Sequence, residues 1–165
     1  MRHAACKSGK ERMFNSMSKQ MESRQKERAA AMKMVYEWSM GGDGGAETLQ
    51  MIYELDGKTP VQEPEEVFEI APNSFVSRMV QGVMDRVDEI DALINSYSVG
   101  WKTDRMPKVD LAILRLGLFE LLLGEVPAPI VINEAVELAN VYCGDKSGAF
   151  VNGVLGNISR KELQK

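Results

Sequence analysis

The stretch GDKSGAFVNGVLGNISRK (residues 144–161) decides whether the chain is all-α or contains β-structure. Its Asn152-Gly153 pair between apolar residues is the strongest short-range hairpin signal in a sequence. The apolar residues nevertheless repeat with the period of a helix and do not alternate. They are Phe150, Val151, Val154, Leu155 and Ile158. We therefore predict a helix that Ser147 caps and in which Gly153 lets a neighbouring helix approach closely.

The remaining segments show helical patterns as well, and none shows convincing β alternation. Helices are predicted from about Met21 to the GGDGG stop (41–45), over 46–55, from Ser74 or Asn73 to about Ile94, from Pro107 to about Leu123, and from Pro129 to Gly144. The helix after Ser74 carries one inward stripe from Phe75 to Ile94. The helix after Pro107 carries another, from Val109 to Leu123, and Gly124 ends it. An all-α fold of about seven helices follows.

The composition is that of a soluble globular protein, with 44% hydrophobic and 27% charged residues. No apolar run approaches the roughly 20 residues of a membrane-spanning helix. The polar, basic N-terminus does not have the apolar core of a secretory signal. We expect a cytoplasmic protein with no membrane contact.

Charge is distributed unevenly along the chain. Residues 1–33 carry a net charge of +6 and the remainder −10, which gives the total of −4. A basic arm on an acidic body suggests an anionic partner for the arm, although a solvated tail has the same composition. We expect residues 1–20 to form a flexible basic N-terminal extension, followed by a helical domain over 21–165.

Residues that could carry out catalysis are scarce. His3 is the only histidine, and Cys6 and Cys143 lie far apart, so a zinc site of Cys and His ligands is excluded. Glu134 and Glu137 share one helix face, an arrangement that solvated surface charge explains better than a metal. We predict a protein that is not an enzyme and that needs no cofactor or metal.

A basic cluster at the start of the first long helix suggests contact with nucleic acid. Its members are Arg24, Lys26 and Arg28, with Lys33 beyond them. Such residues bind phosphates with a steep salt dependence but little choice of sequence. Choice of RNA sequence usually requires stacking of unpaired bases, for which Phe150 is a candidate. A core role for Phe150 fits its periodicity equally well.

Several motifs in the same order resemble the NusB family of bacterial transcription antitermination factors. INEAVELA (132–139) followed by SGAFVNGVL (147–155) is the most specific part. VDLAILRLGLFELL (109–122), GWKTDRMPKVD (100–110) and RQKERAAAMKMVYEW (24–38) resemble the family's central helix, the linker before it and the arginine-rich first helix. The resemblance covers roughly residues 21–161.

The resemblance implies two packed three-helix subdomains, here approximately 21–97 and 98–165. It also implies a factor that binds boxA-type RNA of ribosomal RNA leaders together with NusE, a small-subunit ribosomal protein. The complex joins RNA polymerase and other Nus factors and suppresses premature termination. Monomer and homodimer both occur in such a family, and the sequence leaves the choice open.

By position, the resemblance assigns RNA contact to the basic cluster of the first long helix and to Phe150. Lys146 stands in the turn before Phe150, where an acidic residue is frequent in the family, and we include it among the RNA contacts. Tyr36 and Asp110 match positions at the NusE interface. Arg115 is expected to be structural and to bridge to a carboxylate.

Two other functions compete with an antitermination factor. One is a protein–protein adaptor on the same fold without sequence-specific RNA binding, suggested by the acidic body and the altered turn at 146–149. The other is an RNA-modifying enzyme, because ribosomal RNA cytosine methyltransferases carry a similar N-terminal domain. That enzyme needs a catalytic α/β domain, for which these 165 residues leave no room.

Overall fold

The structure is a computed structural model that describes residues 9–42 and 74–164. Within those ranges every regular element is helical, which confirms the predicted all-α fold. The elements are α1 (Gly9–Ser39), α2 (Phe75–Asp85), α3 (Val87–Tyr97), α4 (Lys108–Leu123), α5 (Ala128–Tyr142), α6 (Asp145–Ile158) and a π-helical turn (Ser159–Leu163). None of these helices is long and apolar enough to cross a membrane. The helix predicted over 46–55 and the loop after it lie outside the described residues.

Helix α4 is the centre of the molecule and contacts each of the other five helices. All twelve residues from Asp110 to Leu121 are buried, so the predicted one-sided stripe is wrong for this helix. The physical reason is that neighbours enclose α4 on every side, and its buried Arg115 and Glu120 are held in ion pairs with Asp91 and Arg28. At Gly117 an added Cβ would lie 2.9 Å from Leu155 Cδ1, so α6 packs closely here.

The first helix begins earlier than predicted, at Gly9 and not near Met21. This segment is rich in Lys, Glu, Arg, Met and Gln, which favour helix without any apolar stripe. Its side chains from residue 11 to 26 are exposed, apart from the partly buried Ser18. Because this segment has no buried face, apolar periodicity does not reveal that it is helical. The helix ends at Ser39, before Gly41, whose φ of 95° requires glycine.

Two helices replace the single helix predicted from Phe75 to Ile94. The predicted cap is present, because Ser74 Oγ accepts a hydrogen bond from Ser77 N at 3.2 Å. At Arg86 the backbone leaves the helical region, with φ −118° and ψ 19°, and α3 begins. Asp88 and Glu89 lie in the first turn of α3, where carboxylates stabilise a helix N-terminus.

Residues 145–161 are helical, as predicted, but two details differ. Helix α6 starts at Asp145, two residues before the predicted cap Ser147, with Gly144 as its N-cap. Gly153 has open space where a Cβ would be, so it does not provide the predicted close approach. The close approach of two helices is found at Gly82, where α2 meets α4 and an added Cβ would lie 1.9 Å from Phe119 Cζ.

Candidate nucleic-acid interface

The basic residues of α1 divide into an exposed group and a buried group. Arg24 and Lys26 are exposed. The Arg24 guanidinium lies 4.1 Å from the centre of the Phe75 ring and pairs with Glu27 at 2.9 Å. Because both side chains are exposed, both cations are accessible to a polyanion.

Arg28 lies in the interior and is only 6% exposed. Its Nε and Nη2 donate to the two carboxylate oxygens of Glu120 on α4, at 3.0 and 2.6 Å. Glu134 on α5 lies 4.0 Å from its Nη1. Bidentate geometry of this kind fixes both partners, and a buried charge that loses its partner is strongly destabilising. Arg28 therefore holds α1 against α4 and α5, and its guanidinium points away from solvent.

Lys33, the last cation of the cluster, is also buried, at 8% exposure. Its Nζ lies 5.4 Å from the ring centre of Tyr142, within the range of a cation–π interaction. Tyr142 is the final residue of α5 and is itself exposed. The lysine thus connects α1 to the turn between α5 and α6.

Two side-chain contacts between α1 and α5 show that the two helices point in the same direction. Gln25 Nε2 lies 3.4 Å from Glu134 Oε1, and eight residues later on both helices Lys33 meets Tyr142. At about 1.5 Å per residue, Lys26 is about 10 Å from Lys33 along the axis. The exposed cations of α1 consequently lead towards the N-terminus of α6.

Lys146 and Phe150 lie one turn apart on the same face of α6. Lys146 is exposed and Phe150 is half-buried. The Phe150 ring packs against Trp101, with ring centres 6.0 Å apart and planes tilted by 48°. Trp101, in the loop between α3 and α4, was not predicted as a site residue. The available signal was a tryptophan in a polar loop between Gly100 and Pro107.

The two residues predicted to contact a protein partner differ in exposure. Tyr36 on α1 is half-buried and packs against the core. Asp110, in the first turn of α4, is only 5% exposed. Among the described residues its Oδ1 has no hydrogen-bond partner. Burial, followed by the charge of Asp110, raises the pKa of the Cys143 thiol to about 11.

Arg115 has the structural role expected of it. Its Nε and Nη2 donate to the two oxygens of Asp91 on α3, at 2.8 and 2.7 Å. Its Nη1 donates to Ser39 Oγ at the end of α1, at 2.9 Å. One side chain therefore joins α1, α3 and α4.

The described part of the chain brings together no group of three or more acidic, histidine or cysteine residues that could hold a metal ion. Glu134, one of the two carboxylates considered for such a site, faces Arg28 and Gln25 instead. The candidate surface combines the cations Arg24, Lys26 and Lys146 with the rings of Trp101 and Phe150. This combination suits a polyanion with exposed bases.

Comparison with known proteins identifies relatives of this chain. The sequence profile of the NusB family matches residues 25–160. A transcription antitermination protein NusB from Acetivibrio thermocellus is 36% identical over 143 residues, covering 85% of this chain and 90% of its own. In the crystal structure of antitermination factors NusB and NusE in complex with dsRNA, a chain superposes with a TM-score of 0.65 at 27% identity, covering 85% of this chain and 98% of that one. T. maritima NusB superposes with a TM-score of 0.64 at 29% identity, covering 84% and 91%.

Proposed function

The chain belongs to the NusB family, and we propose that it is a transcription antitermination factor that binds boxA-type RNA of ribosomal RNA leaders together with NusE. In this role it joins RNA polymerase and other Nus factors in the cytoplasm and catalyses no reaction. The observation that carries the proposal is the path of cations and aromatic side chains from α1 to the start of α6. The relative solved with NusE and dsRNA supports both partners.

We propose that Arg24 and Lys26 bind phosphates directly, since both are exposed. Lys146 continues the cationic path at the first turn of α6. Phe150 adds an aromatic surface one turn later. Together these residues can hold a single strand by its backbone and by its bases.

Arg28 and Lys33 support the same surface from beneath. Arg28 is held by Glu120, and Lys33 lies over Tyr142. We propose that both are positioning residues, which keep the exposed face of α1 in register with the α5–α6 turn.

For the protein partner, we propose Tyr36 and Asp110 as contacts with NusE. The proposal rests on their positions, which match the NusE interface in the family; Tyr36 is half-buried and Asp110 is 5% exposed. We expect Asp110→Asn to weaken NusE binding in a pull-down, because the amide loses the negative charge while keeping the shape.

The test of the RNA surface is the double variant Arg24→Ala plus Lys26→Ala, titrated with a boxA-type RNA in the presence of NusE across a salt series. The plot of log K against log salt has a negative slope, and losing two phosphate contacts makes that slope less steep by about 1.4 for a single strand. Gln81→Ala, on the exposed face of α2, is the matched control for a surface substitution. An unchanged slope in the double variant overturns the assignment of α1. NusE binding without any boxA preference favours the adaptor.

A further inference from the structure

We propose that Trp101 forms a binding site for one unpaired nucleobase of the RNA, with Phe150 as the support behind the indole. The inference rests on the proposed function and adds to it a residue and a mode of contact. The site takes the flat face of a base, and Lys146 stands beside it for the attached phosphate.

The loop holds Trp101 in a defined position. Ser98 Oγ donates to the carbonyl oxygen of Trp101 at 2.6 Å. Two residues later, Thr103 N donates to Asn95 Oδ1 at 2.8 Å, and Asn95 Nδ2 donates to Thr103 Oγ1 at 3.2 Å. The buried Met106 anchors the end of the loop in the core. An aromatic side chain on a fixed loop loses little conformational entropy when a ligand binds.

Exposure distinguishes the two rings of the pair. Trp101 is 49% exposed, whereas Phe150 is half-buried and contacts the core. Their separation of 6.0 Å lies in the range of stable aromatic pairs. Phe150 therefore occupies one side of the indole and leaves the rest of Trp101 to a ligand. A large exposed aromatic side chain is costly to leave in water and is typical of binding surfaces.

The surroundings favour a nucleotide over an apolar peptide. Lys146 precedes Phe150 by one turn, so its ammonium lies on the same side of α6. The N-terminus of α6 adds partial positive charge, and the carboxylate of Asp145 in the same turn partly offsets it. A cation next to a stacking ring matches the alternation of phosphate and base in a single strand.

The test compares Trp101→Ala, Trp101→Phe and Val99→Ala in binding boxA-type RNA with NusE present. Val99 is a matched control because it lies in the same loop and is 96% exposed. We expect Trp101→Ala to weaken binding about tenfold or more, as loss of one stacked base does. Trp101→Phe is expected to restore most of the affinity, and Val99→Ala to leave it unchanged.

A second readout separates stacking from loss of fold. In a Trp38→Phe background Trp101 is the remaining tryptophan, and stacking of a base on it should quench its fluorescence as RNA is added. A set of RNAs, each lacking one base, should identify the base that stacks on Trp101. When that base is missing, Trp101→Ala should cause no further loss of RNA affinity. If the wild-type protein binds boxA RNA and Trp101→Ala binds it with the same affinity, this inference alone is overturned. A wild-type protein that does not bind boxA RNA even with NusE overturns the proposed function as well.

Discussion

At the scale of single residues, neighbours in space decide what a charged side chain can do. Arg24 and Arg28 stand one turn apart, yet the first is exposed and the second is bound by Glu120 in the interior. The charge pattern alone grouped them as one arm. Helical spacing does not separate them, because Arg24 lies seven residues before the buried Ala31 just as Arg28 lies seven residues before the buried Val35.

The first prediction concerns these two arginines. Arg28→Ala should lower the free energy of unfolding by about 3–5 kcal/mol, because Glu120 is left buried without its partner. Arg24→Ala should lower it by less than about 1 kcal/mol, since Arg24 itself is exposed and its contacts with the partly buried Glu27 and Phe75 are screened by solvent. Urea denaturation followed by circular dichroism measures both. Equal losses for the two variants would contradict the assignment of Arg28 to the interior.

The second prediction concerns the thiol of Cys143. Because its pKa is about 11, the thiolate fraction at pH 8 is about a hundredfold lower than for a thiol of pKa 9. Alkylation of a Cys6→Ser protein should therefore be slow at pH 8 and accelerate as pH rises towards 11. Asp110→Asn should lower the pKa and speed the reaction at pH 8, since the opposing negative charge is gone. A rate that is independent of residue 110 would show that the carboxylate does not act on the thiol.

At the scale of helices, sequence periodicity predicted which segments are helical better than how they pack. Ser74 as a cap, Gly124 as a terminator with φ 65° and the helical state of α6 are confirmed. The break at Arg86 was missed because the apolar stripe continues across it. The all-round burial of α4 was missed because a stripe cannot show how many neighbours a helix has.

The third prediction uses two glycines in helix interiors. Gly153→Ala should raise the free energy of unfolding by about 0.5–1 kcal/mol, since alanine favours helix and its Cβ meets open space. Gly82→Ala should lower it by about 1–3 kcal/mol, because the new methyl group overlaps the buried ring of Phe119. Thermal unfolding of the two variants checks the opposite signs. If Gly153→Ala is destabilising instead, a neighbouring helix does approach Gly153 closely, as the sequence first predicted.

At the scale of the whole molecule, helical periodicity predicted the fold class, and the order of motifs predicted the family. Sequence could not predict that Trp101 meets Phe150, because the two are 49 residues apart and meet only through packing of the loop on α6. Nor could it predict the buried ion pair of Arg28. Both features depend on contacts between distant segments, and these contacts shape the candidate site.

The fourth prediction concerns the N-terminal extension. Removal of residues 1–20 should change the free energy of unfolding by less than about 1 kcal/mol, because the side chains of 11–20 are exposed apart from the partly buried Ser18. It removes a net charge of +4 from the chain. Non-specific RNA affinity should therefore fall, and more at low salt than at high salt. A large loss of stability would place the extension in the core of the fold.

If the proposed function is right, this chain and NusE together select boxA-type RNA. Binding of a fluorescent boxA-type RNA and of a scrambled RNA of equal length, with and without purified NusE and across a salt series, tests this selection. We expect tight binding of boxA that requires NusE, persists at physiological salt and is lost with the scrambled RNA. Equal binding of both RNAs that disappears with salt would contradict it and leave the chain as an adaptor with a basic helix.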